Sequence, residues 1–295
     1  MTSPLTLHDT AHAKINLFLH VTGRRPDGYH LLDSLAVFTE VGDRLTAELR
    51  TDGNCTLSIH GPFGTGLSST DDNLILKAAQ LLKIHAKSSF GAHITLEKNL
   101  PVASGIGGGS ADAAATLRLL STLWNIPKDL LKDIAPKLGA DVPVCLAQRA
   151  TRMQGIGEVL KAVPAMPAGG IMLVNPGVAV STPDIFRRFS ANGGPKSRTE
   201  PNLPCHWDGM EHLVSVLDKT TNDLQPPATG LAPIINDTLQ AISFSTDCLL
   251  SRMSGSGATC FGLFPTARSA QLAAQELQKQ YNWWVWGGAF ASAEK

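Results

Sequence analysis

Apolar positions in the first hundred residues recur at short, strand-like intervals. Ala13 to Val21 alternates loosely, and Leu31 to Phe38 is a second apolar stretch. Between them, Arg24-Arg25-Pro26-Asp27-Gly28 carries turn chemistry. Leu45 to Leu49 and Cys55 to His60 read as short strands, and Thr51-Asp52-Gly53-Asn54 between them predicts a hairpin. Asp72-Asn73 opens a helix through Leu82, with Leu74, Ala78 and Leu81 or Leu82 on one face. Phe90 to Glu97 alternates again as a strand.

A glycine-rich run follows, and then a helix whose stripe is Leu117, Leu120 and Trp124, widened by Leu119 and Leu123 and stopped by Pro127. A shorter helix spans Lys128 to Leu138, and Pro136 makes its last turn doubtful. Ile171 to Val174 is a buried strand. The prolines and glycines of Val163 to Gly170 place a domain boundary there, giving residues 1–165 and 166–295. Ala191 to Pro204 is polar, rich in Pro and Gly, and predicts a mobile loop. The chain closes as strand (Thr259 to Phe264), helix (Ala267 to Tyr281) and strand (Trp283 to Phe290). The pattern is α+β, with helices packed on mainly antiparallel sheets.

Composition narrows the function classes. Hydrophobic residues make up 43% and charged residues 17% of 295, enough for a packed core without disorder bias. Lys plus Arg equals Asp plus Glu, at 25 each, so nucleic-acid binding through bulk charge is not expected. No apolar run is long enough to span a bilayer, and the N-terminus does not read as a signal peptide. The five cysteines have no paired spacing and read as reduced thiols of a cytoplasmic protein. His8 and His12 lack the Glu of a metalloprotease helix, so a zinc site is not expected.

The chemistry concentrates in Pro101-Val102-Ala103-Ser104-Gly105-Ile106-Gly107-Gly108-Gly109-Ser110-Ala111, between a strand and a helix. Its glycines admit close approach of a ligand to the backbone, and the following helix start offers free N–H groups and a positive dipole end. Together these favour a di- or triphosphate. Ser110 suits either a helix N-cap or a hydroxyl ligand to a phosphate-bound Mg²⁺. The run lacks the Gly-Lys-Ser/Thr of a Walker A loop, and Ser110 stands where a Rossmann fingerprint has Gly or Ala. A flexible loop before an ordinary helix has the same composition.

The run does not stand alone. Pro-x-x-x-Gly-x-Gly-Gly-Gly-Ser-x-Asp-Ala-Ala resembles the second motif of the GHMP kinases. Ala13-Lys14-Ile15-Asn16-Leu17 resembles the first, and Met253-Ser254-Gly255-Ser256-Gly257-Ala258-Thr259-Cys260-Phe261 the third, in the same order. Pro26-Asp27-Gly28-Tyr29-His30, Gly139-Ala140-Asp141-Val142-Pro143, Gly155-Ile156-Gly157-Glu158 and Asn222-Asp223-Leu224 narrow the resemblance to one branch. That branch phosphorylates a cytidine diphosphate-linked methylerythritol on the non-mevalonate route to isoprenoid precursors. Ala103-Ser104 replaces a frequent Gly or Ala pair, and Ser110-Ala111 a frequent Ser-Ser; both changes are small.

The resemblance implies a two-domain GHMP kinase fold. Its N-terminal domain is ribosomal protein S5 domain 2-like and its C-terminal domain ferredoxin-like, with a last strand that returns toward the N-terminal domain. It implies ATP and Mg²⁺ as cofactors, a small-molecule substrate, no nucleic-acid or membrane partner, and a monomer or homodimer. By it, Asp141 is the catalytic base and Lys14 its charged neighbour, while Asn16 orients one of these two groups or the substrate. From the residues alone, Asp141 suits a turn before Pro143 equally well. The apolar flanks Ile15, Leu17 and Phe18 favour a buried, functional Lys14 over an exposed strand lysine. Tyr29, His30 and Phe186 would recognise cytosine, although Phe186 equally suits core packing. Asn73, Leu74 and Lys98 would line the adenine pocket, although Asn73 equally suits a helix cap. Gly255, Ser256 and Gly257 would close on the substrate diphosphate, and Ser110 is the one protein ligand suggested for the metal. A homoserine or mevalonate type of kinase, a nucleotide-binding protein without chemistry, and a dehydrogenase are the competing readings.

Overall fold

Strand alternation at the N-terminus runs further than the apolar stretches alone: β1 spans Thr6–Arg24 and β2 spans His30–Arg50. These are the longest strands of the computed structural model, which describes residues 5–195 and 199–292. Two compact units are built from interleaved segments. The first holds the residues up to Ala13, Gly42–Val102 and Gly107–Ala147; the second holds Lys14–Val41, Ala103–Ile106 and the chain from Gln148 onward. The 163–170 segment, where composition places a boundary, lies inside the second unit.

In the first unit, β3 (Cys55–His60) is followed by α1 (Leu74–Ala86) and β4 (Gly91–Glu97). The predicted hairpin is not formed. Gly53, at φ +76°, and the Asp52 carboxylate, which accepts the Asn54 amide, do reverse the chain. Yet β4 lies between the two strands, antiparallel to β2 and parallel to β3. A turn signal fixes where a chain reverses, not which strand fills the neighbouring position. Here the α1 crossover carries β4 back parallel to β3, as a βαβ unit does. Then come α2 (Gly108–Leu123), α3 (Leu130–Leu138) and α4 (Val142–Ala147). Pro136 does not end α3 early: Leu131, Ile134 and Ala135 are buried on one face, and that packing carries the helix to Leu138.

In the second unit, β5 (Thr151–Gly155) pairs antiparallel with the first half of β2 and with β6 (Val159–Ala162). Next come β7 (Gly170–Asn175) and α5 (Thr182–Ala191), whose N-cap Ser181 accepts the Asp184 amide. The 210–243 region, for which the patterns give no element, holds α6 (Met210–Leu217), α7 (Gln225–Leu231) and α8 (Ile234–Ser243). All three are short, and Pro226, Pro227 and Pro233 punctuate the region, so no long apolar stripe develops. The chain ends in β8 (Leu250–Met253), β9 (Cys260–Phe264), α9 (Ala267–Gln280) and β10 (Trp284–Gly288). These strands form an antiparallel sheet in the order β10-β7-β9-β8, against which α9 buries Ala270, Ala273, Ala274 and Leu277. Past β10, Ala291 donates its amide to Phe38 O at 2.8 Å. The predicted 191–204 loop includes residues 196–198, which lie outside the described residues; 199–204 carry no helix or strand. No helix among the described residues is long and apolar enough to cross a membrane.

Candidate active site

Within the second unit, residues of all three motifs converge. Lys14 is 4% exposed, and its Nζ donates to Asn16 Oδ1 at 3.0 Å. Asn16 Nδ2 donates to Ser34 Oγ at 2.7 Å, and Ser34 in turn donates to Phe18 O at 2.6 Å. Asn16 therefore has a fixed amide orientation, with its oxygen toward the lysine. The Lys14 amide donates to Ile106 O at 3.0 Å, which ties the first motif to the middle of the glycine run. Ser254 completes the junction: it accepts the Asn16 amide at 3.1 Å and donates to Gly105 O at 3.2 Å. The Thr259 amide donates to Ser104 O at 3.1 Å.

The third motif is held from behind. Asn222 Nδ2 donates to the carbonyls of Met253 and Gly255, both at 2.8 Å. Arg252 is buried and donates to the carbonyls of Leu17, Leu217 and Thr220. Burial lowers its pKa to about 10, still charged at neutral pH. Gly255 has φ +55°, and a Cβ on it would stand 2.8 Å from Gly105 O, so this approach requires glycine. Ser256 Oγ shares a hydrogen bond with Thr182 Oγ1 at 2.7 Å.

The end of the glycine run belongs to the first unit. The helix starts earlier than Ser110: Gly107, at φ +68°, is the N-cap of α2, and Ser110 is its third residue. Ser110 is thus not the cap. A glycine cap has no side chain to bond the first-turn amides, and the first intrahelical bond is Ala111 N to Gly107 O at 2.8 Å. Among the described residues no side chain caps the amides of Gly108, Gly109 and Ser110, and the positive end of a 16-residue helix stands behind them. A Cβ on Gly109 would meet nothing within 4 Å, and its φ is not left-handed. If these amides hold a phosphate of ATP, Gly109→Val is expected to fold normally and to weaken ATP binding at least about tenfold. Thermal melting and nucleotide titration check this together.

Other predicted residues have mixed placements. Asp141 is half-buried immediately before α4, and its carbonyl accepts the Cys145 amide at 3.1 Å. Asn73 caps α1, accepting the Ile75 amide at 2.9 Å, and Leu74 is the first helical residue. Lys98 is buried between Asp43 and Asp112, so its ammonium is already engaged. His30 stacks on Phe186, ring centroids 4.7 Å apart, and shares a hydrogen bond with Ser190 at 3.0 Å. Burial, then the Arg24 charge, lower the His30 pKa, favouring a neutral ring. Tyr29 stands apart, 62% exposed. Ser254 and Asn222 lie in recognised motifs; Ser34, Ser190, Arg252 and Asp43 carry no local sequence signal. No group of three His, Cys, Asp or Glu among the described residues is arranged to hold a metal ion.

Comparison with known proteins identifies the family. Residues 73–149 match the family model for the GHMP kinases N terminal domain, and residues 207–282 that for the GHMP kinases C terminal. A relative from Gluconacetobacter diazotrophicus, named 4-diphosphocytidyl-2-C-methyl-D-erythritol kinase, is 50% identical over 98% of this chain and 97% of its own. A relative of the same name from Paracoccus denitrificans is 49% identical over 99% of both. A crystal structure of 4-(cytidine 5'-diphospho)-2C-methyl-D-erythritol kinase aligns with TM-score 0.77 and 33% identity, covering 97% of this chain and 100% of that one. The homoserine kinase of Cytophaga hutchinsonii aligns with TM-score 0.74 at 17% identity, a likeness of fold alone. The chain is a member of the GHMP kinase family, an ATP-using small-molecule kinase.

Proposed function

We propose that this kinase transfers the γ-phosphate of ATP to the 2-hydroxyl of 4-diphosphocytidyl-2-C-methyl-D-erythritol. The observation that carries this reading is the similarity, at about half identity over nearly the whole chain, to relatives bearing that substrate's name. The free amides at the start of α2 and the glycine run hold the ATP phosphates. Asp141 accepts the proton of the attacking hydroxyl, worth roughly 10²–10⁴-fold in rate for a positioned base. Lys14, aimed by Asn16, stabilises the negative charge that develops on the transferring phosphoryl oxygens. Mg²⁺ would be held mainly by the ATP oxygens and water, and Ser110 is the residue whose hydroxyl would hold it from the protein side. His30 and Phe186 form a platform for cytosine, and Gly255, Ser256 and Gly257 close on the substrate diphosphate. Cysteines outside any disulfide fit work in a reducing cytoplasm.

The competing acceptors decide the matter. ADP release is measured with the cytidyl substrate, homoserine and mevalonate in turn. The expected result is turnover of the cytidyl substrate, with kcat/KM for the others lower by about 10³-fold or more, because a site built around a cytidine diphosphate loses that binding energy with them. Turnover of homoserine or mevalonate without turnover of the cytidyl substrate would overturn the assignment.

A further inference from the structure

In the first unit, a buried ionic cluster joins the two ends of the glycine run, and phosphoryl transfer as described above makes no use of it. Lys98 follows β4 directly, and its Nζ lies 2.5 Å from Asp43 Oδ2 and 2.6 Å from Asp112 Oδ2. Asp43 comes from β2 and is fully buried. Its other oxygen accepts the amides of Asn99 at 2.6 Å and Leu100 at 2.8 Å, the last residues before Pro101. Asp112 stands on α2 just past the run and is 4% exposed. A Cβ on Gly108 would come within 3.3 Å of Lys98 Nζ, so the helix start rests directly on the ammonium.

Two carboxylates share one ammonium, so full ionisation leaves an excess negative charge in a dry environment. Burial pushes the Asp112 carboxyl up to about 7, against the pull of Lys98. Its Oδ1 is buried with no hydrogen-bond partner among the described residues. Apolar side chains of similar volume would stabilise such a position as well or better. What they would not supply is direction. Lys98 donates to both sides at once, and Asp43 fixes the two amides that lead into the loop. In that way the separation of the loop's two ends is set before any ligand arrives.

We propose that Asp43, Lys98 and Asp112 are positioning residues that hold the glycine run open at the width required by the ATP phosphates. This rests on the kinase reading above. The Lys98 ammonium then serves the loop rather than the adenine base.

The test uses the full chain and a fluorescent ATP analogue. Asp112→Ala cuts the link from Lys98 to α2 and leaves the Lys98–Asp43 pair intact. A lost hydrogen bond between charged groups predicts a Kd for the analogue about tenfold or more weaker. The KM for the acceptor is expected to stay within about twofold, because no group that contacts it is changed. Asp112→Asn keeps an oxygen for the Lys98 ammonium and is expected to restore binding to within about threefold. A variant that melts earlier yet binds the analogue like the wild type would reduce the cluster to a stability element and sink the proposal. If Asp112→Ala does not fold, hydrogen exchange on the wild type decides. The Asn99 and Leu100 amides are expected to be protected with and without ATP; exchange at free-chain rates until ATP is added contradicts the clamp. Failure of the wild type to bind the analogue would count against the kinase reading instead.

Discussion

Asp141→Asn is expected to lower kcat by roughly 10²–10⁴-fold while leaving the KM for ATP and for the acceptor within a few-fold of wild type. The amide is isosteric with the carboxylate and preserves the turn into α4, where the Asp141 carbonyl accepts the Cys145 amide. It cannot take up a proton at neutral pH. The loss therefore belongs to chemistry, and steady-state kinetics with both substrates varied separates it from a binding defect. A thermal midpoint close to wild type completes the check. If Asp141 only shaped the turn, activity would survive the change.

Gly105→Ala is expected to damage the protein more broadly. Gly105 has φ +75°, and a Cβ there would lie 2.6 Å from Gly257 O, 2.8 Å from Ser254 O and 2.9 Å from Gly257 N. These are backbone atoms of the third motif, so no side chain can swing aside. Positive φ alone costs an alanine about 1 kcal/mol, and the displaced backbone brings the total to roughly 3 kcal/mol. The Ser254 bridge between Asn16 and Gly105 would be pulled apart with it, taking activity as well as stability. Denaturant unfolding and an activity assay on the folded fraction read the two losses separately. For the unfolding measurement alone, Gly109→Ala is the control, because its Cβ enters open space.

The contrast between these two glycines shows what local sequence carries and what it does not. Glycine-rich composition marks the run as a backbone-approach site, but not which glycine faces the third motif and which faces solvent. Likewise Asn73 is a helix cap by its position before Leu74, and the structure has it accepting the Ile75 amide. The apolar neighbours of Lys14 point to burial, and it is buried. Local patterns carry no signal where partners are distant in the chain. Asp43 and Lys98 are 55 positions apart, and no period or spacing joins them. The Thr51-Asp52-Gly53-Asn54 turn was legible, but the insertion of β4 beside β2 depends on the crossover helix and the packing beneath it. The early start of α2 at Gly108 was hidden because glycine is a poor helix former.

The most direct test of the account is the ³¹P spectrum of the product formed from ATP and 4-diphosphocytidyl-2-C-methyl-D-erythritol. Position 2 of that acceptor bears a methyl group, so its hydroxyl is tertiary. The expected spectrum has a new phosphomonoester signal with no splitting from a proton on the carbinol carbon, in equal amount to the ADP released. A split signal, showing transfer to a primary or secondary hydroxyl, or ADP without a phosphorylated acceptor, would contradict it.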